Sequence, residues 1–165
     1  MRRPVAAFGS SLFLALAPGT VAVLLPWWLT GWQAGHWPGP VRLLGLVPLA
    51  AGAVVLLSAF VRFVAEGLGT PAPVAPTEHL VVGGLYRHVR NPMYVAVVAT
   101  IAGQGLLLAR PVLLTYAAIA GLVMWAFARW YEEPELAGRF GAEYERYRRA
   151  VPGWWPRVRP WRGPS

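Results

Sequence analysis

The chain contains no cysteine, no lysine and no aspartate. Without cysteine it can form no disulfide, thiolate metal site or cysteine nucleophile, and the redox compartment stays undetermined. Its 15 basic residues are therefore all arginine and its 7 acids all glutamate, a bias that speaks of codon usage and a GC-rich microbial source more than of function. Charge is scarce altogether, at 13% of residues, whereas 56% are hydrophobic. Soluble domains usually hold ~45–50% apolar residues, so the chain is expected to be an all-α integral membrane protein. Its 165 residues leave no room for a soluble catalytic domain beside membrane spans. One membrane-embedded domain over residues 1–165 is expected, with any chemistry built from loops and helix ends.

Four apolar runs reach the ~20 residues needed to cross the hydrocarbon core, at about 5–30, 43–63, 92–109 and 111–130. The first contains Pro18, Gly19 and Pro26, which predict a kink. Arg2, Arg3 and Ala15-Leu16-Ala17 also resemble a signal peptide and its cleavage site, but Pro18 and the continuing apolar run argue for an uncleaved span. Only Ala109-Arg110 separates the last two runs, so helices three and four should form a tight antiparallel hairpin. Arg2, Arg3, Arg62, Arg87, Arg90 and every arginine from Arg129 onward fall on one side, against Arg42 and Arg110 on the other. The positive-inside rule makes the first side cytoplasmic and accounts for the net charge of +8 without nucleic acid. Trp27, Trp28, Trp32 and Trp37 then belong to the outer interface, and Trp130, Trp154, Trp155 and Trp161 to the inner one.

After Pro134, the residues Leu136, Phe140, Tyr144, Tyr147 and Val151 recur at steps of three or four. They predict a cytoplasmic amphipathic helix over about 134–150 whose stripe faces the membrane or the hairpin, with Arg146, Arg148 and Arg149 toward anionic headgroups. The loop 66–91 is the longest between spans, and loops of such length commonly carry function.

Two polar groupings at the cytoplasmic boundary exceed what a spanning bundle requires: Tyr86-Arg87-His88-Val89-Arg90-Asn91-Pro92-Met93-Tyr94, and Glu132-Glu133. Polar groups at that depth are costly unless paired or hydrated, so their meeting at one level implies a shared cavity. Acids just ahead of a helix are favoured by its dipole, which explains the position of Glu132 and Glu133 but not why there are two. One carboxylate could accept from the ribose hydroxyls of a nucleoside cofactor or face a cation, while the other pairs with Arg90 or Arg129. Gly103-Gln104-Gly105 reads as a packing motif whose amide needs a partner. His79 and His88 lack ligand spacing, and no metal site is expected.

The order Leu80-Val81-Val82-Gly83-Gly84-Leu85-Tyr86, Arg90-Asn91-Pro92-Met93-Tyr94, Glu132-Glu133, Phe140-Gly141-Ala142-Glu143-Tyr144-Glu145-Arg146-Tyr147 and Val151-Pro152 resembles the isoprenylcysteine carboxyl methyltransferase superfamily. The related phosphatidylethanolamine and phospholipid N-methyltransferases share the elements at 91–94 and 131–134. The resemblance covers roughly Gly67 to Pro156, and it departs at Asn91, where the carboxyl methyltransferases usually carry His, and at Ala96, where they carry Gly. It implies a membrane-embedded methyltransferase that binds S-adenosylmethionine and takes a lipophilic or lipid substrate sideways from the bilayer. Carried onto this chain, it implies Arg90, Asn91 and Glu133 as catalytic residues. Tyr86, Arg90, Asn91, Tyr94, Gln104, Glu132, Glu133 and Tyr144 would line the cofactor site. Asn91 forms hydrogen bonds but cannot titrate. Partners are then membrane lipids, in the cytoplasmic membrane of a bacterium.

Two other classes compete. A transporter is disfavoured because the spans hold no central ionisable residue, only Ser58, Thr100, Gln104 and Thr115. A noncatalytic adaptor would need the arginine-rich tail but not Asn91, Tyr94 or the two acids. The arginine asymmetry places both termini and the loop 66–91 in the cytoplasm, and 31–40 outside. Reporter fusions check this, and an exported tag that becomes active after Ser165 would break the even number of spans.

Overall fold

The architecture was taken from a computed structural model that describes residues 16–67 and 79–163. Within them the regular structure is entirely helical: α1 (Leu16–Thr30), α2 (Leu46–Gly67, entered through a short turn at Gly39–Leu43), α3 (Pro92–Leu107), α4 (Pro111–Phe127) and α5 (Glu133–Ala150). Residues 5–15 of the expected first span and 68–78 of the long loop lie outside the described residues. Two helical runs, Gly39–Ala59 and Pro111–Ala150, are long and apolar enough to cross a membrane, and α1 and α3 are shorter apolar helices. Only 11% and 22% of the most apolar windows of those two runs are buried. A soluble core helix would be enclosed; here Trp28, Val47, Leu122 and Val123 face outward, as lipid contact requires.

Three successive residues of α3 face three different helices, since each step along a helix turns the side chain by about 100°. A Cβ on Gly103 would lie 2.5 Å from the Leu49 nitrogen and 2.8 Å from the Gly45 carbonyl of the α2 segment. The Gln104 amide donates to the Ala22 carbonyl of α1 at 2.7 Å. Gly105 lies against Leu113 and Leu114 of α4. Further along, a Cβ on Gly52 would meet the Ala96 carbonyl and the Thr100 hydroxyl. Helix α3 is thus the centre of the bundle, and Ala96, 1% exposed, belongs to its seam with α2. In lipid such small-residue seams hold helices by close van der Waals packing.

The kink expected in the first span is a π turn at Thr20–Leu24. Its Leu25 N–H reaches back to the Thr20 carbonyl, so the Val21 carbonyl loses its usual helical donor. Pro26, having no N–H, deprives the Ala22 carbonyl in the same way. Both are served from elsewhere, Val21 by the Tyr116 hydroxyl at 2.9 Å and Ala22 by Gln104. The end of α3 is settled equally fully. The carbonyls of residues 105–108 accept from the Arg110 N–H, the Ala109 N–H, the Arg42 Nε and the Gly35 N–H respectively, at 2.7–3.1 Å. Ala109 takes a left-handed conformation, φ 52°, to make this cap. Consequently α4 runs back along α3, with Gly105 near Leu113 and Gly121 near Val98.

The tail differs from expectation in two respects. It continues directly from α4 through a π turn at Ala128–Glu132, just before Pro134. Its aromatic stripe faces neither membrane nor hairpin: Tyr144, Tyr147 and Val151 are buried with Leu80, Val82 and Trp161. A kink at Gly141, φ 49° and ψ −123°, lies midway along it. The forty residues of Pro111–Ala150 exceed the ~20 that span a bilayer, so the part beyond Arg129 is read as lying outside the hydrocarbon.

A Gly103→Ala substitution forces backbone atoms of α2 and α3 apart and should cost about 1–3 kcal/mol. A lowered unfolding temperature in detergent checks it, and an unchanged one would show that the seam tolerates separation.

Candidate functional site

Asn91 sits immediately before α3 and Pro92 opens the helix, the position where its missing N–H costs nothing. This aims the residues before Pro92 across the inner end of the bundle, toward the start of α5. There Arg90 is held on several sides. Its Nε donates to the Val151 carbonyl at 2.9 Å, and one terminal nitrogen donates to Glu133 at 2.7 Å and to the Tyr144 hydroxyl at 3.2 Å. Glu133 collects two further cations, Arg129 at 3.7 Å and Arg148 at 3.6 Å, with its own side chain only 12% exposed. A buried, hydrogen-bonded carboxylate facing three guanidinium groups is a structural anchor.

Glu132 has a different environment. It accepts from the Tyr94 hydroxyl at 2.5 Å and forms no ion pair among the described residues. Burial pushes its carboxyl above the ordinary range; the Tyr94 hydrogen bond opposes this, and Glu135 and Glu133 add to it. Tyr86 is buried beside it, and burial together with the Glu132 charge raises its hydroxyl pKa too, so Tyr86 remains a neutral donor. Burial has the same direction at Tyr144 and Tyr147.

A strap formed by residues 151–161 closes over this group. The backbone N–H groups of Arg90 and Asn91 donate to the Pro152 and Gly153 carbonyls at 2.9 and 3.2 Å, and the Asn91 amide reaches the Gly153 carbonyl as well. His88 Nδ1 donates to the Arg157 carbonyl at 2.8 Å, and Arg87 Nε donates to the Trp161 carbonyl at 2.5 Å. Trp154 stacks on Tyr94, rings 13° from parallel with centroids 6.2 Å apart. Tyr147 fixes the loop beneath by donating to the Tyr86 carbonyl at 2.7 Å.

Tyr86, Arg90, Asn91, Tyr94, Glu132, Glu133 and Tyr144 therefore come together. Gln104 does not: it lies thirteen residues along α3 from Asn91, about 20 Å at 1.5 Å per residue, and its amide is spent on α1. An amide in lipid seeks the nearest unserved acceptor, and Pro26 supplies one. Trp154 and Arg148 had been read from sequence as belt and headgroup residues. The Pro152-Gly153 turn directly after the tail helix was the available sign that the chain reverses onto the site.

The apolar bundle thus carries a largely buried carboxylate pair, tyrosine hydroxyls and an aromatic stack at one end. The model of the phospholipid methyltransferase family matches residues 41–143, and the chain belongs to that family of membrane methyltransferases. A search of curated proteins finds no match. The matched range contains Asn91, Tyr94 and both glutamates but ends before the strap.

The two glutamates should separate by stability. Glu133→Gln takes the carboxylate from Arg90 while the half-exposed Arg129 turns to solvent and Arg148 keeps Glu145, and it should destabilise by about 3 kcal/mol, as breaking a mostly buried pair does. Glu132 has a raised folded-state pKa, so its contribution to stability is complete at low pH and is lost as pH rises through that raised value. Glu132→Gln should thus keep or raise the unfolding temperature at neutral pH and flatten its fall with pH. Equal losses in the two variants, read by thermal unfolding across a pH series, would contradict the division.

Proposed function

We propose that the chain is a four-span membrane enzyme that transfers a methyl group from S-adenosylmethionine to a lipophilic amine, with the site at the cytoplasmic face. The observation that carries the reading is the contrast within the acidic pair: Glu133 is held by three arginines, and Glu132, without an ion pair among the described residues, faces Tyr94. A sulfonium cofactor and an ammonium acceptor are both cations. A carboxylate beside the stacked faces of Tyr94 and Trp154 draws such groups to one place, through charge and through the ring quadrupoles.

The residues fit the cofactor on the chemistry of their donor set. Glu132 keeps acceptor capacity after the Tyr94 bond, and Tyr94, Trp154 and Asn91 supply stacking and amide contacts around it. When bound, S-adenosylmethionine supplies an electrophilic methyl on a sulfonium that is neutralised by transfer. The chain's part is alignment and exclusion of water, which suits an in-line displacement. Glu132 has one further task. An ammonium must shed a proton before its nitrogen carries a lone pair, and a carboxylate with a raised pKa is suited to accept it. Glu132 would take the acceptor's proton and later release it to the cytoplasm, leaving the freed nitrogen lone pair to take the methyl that the bound cofactor would supply.

An isoprenylcysteine carboxylate fits less well. It would meet the unpaired charge of Glu132, while Arg90, the nearest cation, is engaged by Val151, Glu133 and Tyr144. Arg90 and Asn91 hold the geometry by fastening the strap.

Detergent-purified protein incubated with methyl-labelled S-adenosylmethionine and membrane lipid extract should yield a labelled amine lipid that keeps its label in alkali. A carboxyl methyl ester would release labelled methanol under the same treatment and would replace the amine reading. Glu132→Gln should reduce labelling by about a hundredfold or more while the protein stays folded. No labelled product from any lipid fraction would count against methyl transfer itself.

A further inference from the structure

The strap has an outer face that the site does not use. Trp154 and Trp161 turn inward, onto Tyr94 and Tyr147. Trp155 and Val158, between them, are 84% and 94% exposed, and Arg159 and Arg162 are exposed as well. Among the described residues these four make no hydrogen bond, ion pair or ring contact. No acidic residue follows Glu145, so every charged side chain of the strap itself is positive.

Its location is set by its neighbour. Trp154 lies along Tyr94, in the first turn of α3, so Trp155 stands where that apolar helix begins. An exposed indole and valine within a few residues of exposed arginines in one strap suit one environment, the headgroup boundary of an anionic bilayer. There the apolar side chains enter the acyl edge and the guanidinium groups reach phosphate.

We propose that Trp155, Val158, Arg159 and Arg162 form a foot that rests on the anionic surface of the host membrane and holds the strap closed. The link to the site is covalent and short. Pro152 and Gly153, whose carbonyls hold the backbone of Arg90 and Asn91, precede Trp155 by two and three residues. A strap pinned at Trp155 keeps those hydrogen bonds made; a strap free to lift exposes both amides. The proposal rests on membrane residence and not on the methyl-transfer reading, so its readouts involve no turnover.

The full chain is reconstituted in vesicles of phosphatidylcholine alone and of phosphatidylcholine with phosphatidylglycerol. Acyl-brominated lipid should quench the fluorescence that wild type has and Trp155→Phe lacks. Amide exchange at Arg90 and Asn91 should be roughly thirtyfold slower in the anionic vesicles, in proportion to two arginines gained at the surface. The triple variant Val158→Ser, Arg159→Gln, Arg162→Gln alters only unpartnered side chains and should lose that difference while keeping the unfolding temperature. Trp155 unquenched in both vesicles, or exchange at Arg90 and Asn91 indifferent to lipid charge, would overturn the proposal. Protection that followed protein concentration instead of lipid charge would assign the face to a second copy and overturn it equally.

Discussion

A backbone carbonyl without a donor is expensive in a medium that holds no water, and the packing of this chain is largely the answer to that cost. Pro26 and the π turn before it leave Val21 and Ala22 unserved, and Tyr116 and Gln104 are the side chains that serve them. The last turn of α3 creates four more unserved carbonyls, and Arg42 and Gly35 join the backbone of the following turn in serving those. The bonds from Tyr116, Gln104, Arg42 and Gly35 join elements far apart in sequence. At the other end, outside the hydrocarbon, carbonyls 151, 152, 153, 157 and 161 accept from the segment 87–91. Carbonyl pairing thus fixes both the depth of α1 against α3 and the closure of the strap.

Because α3 touches α1, α2 and α4 at once, the residues just before it inherit a fixed position. Asn91 and Arg90 are set by the seam at Gly45, Gly52 and Gly103 as surely as by their own hydrogen bonds. Glu132 and Glu133 are set by the other helix that lies against α3, through the π turn at Ala128–Glu132. That turn inserts one residue into the helical register ahead of Pro134, which changes where the two acids point relative to the bundle. One then meets arginines and the other meets Tyr94.

The class of the protein, the meeting of Arg90, Asn91 and Tyr94 with the acids at one end of the bundle, and the need of Gln104 for a partner were all legible in the chain. Hydropathy fixes the first, and the two-residue link at Ala109-Arg110 brings the second within reach. The partner of Gln104 was not legible, because an orphaned carbonyl is created by helical register and leaves no mark in residue type. The tail stripe was visible as a stripe, but Tyr144 and Tyr147 face the loop at 80–86 and Trp161, and periodicity reports a buried face without naming what buries it. Trp154 was hidden among eight other tryptophans. In a membrane chain a tryptophan near a span end has a sufficient explanation in the interface, which masks the one that stacks on a site residue.

The two glutamates are neighbours in sequence with opposite relations to stability, and this sets how the site could be built. Arg90, Arg129 and Arg148 around Glu133 hold α3, the π turn and α5 together, so the position of Glu132 is determined by bonds that Glu132 does not make. That independence lets Glu132 occupy a desolvated position where its ionisation opposes folding, a cost borne only when its surroundings are secured by other means. Tyr94 sharpens this, since its hydroxyl donates to one oxygen of the carboxylate and orients the other. The arginine-bound acid and the tyrosine-bound acid are therefore separated by a single peptide bond, and the π turn is what allows adjacent residues to face such different surroundings.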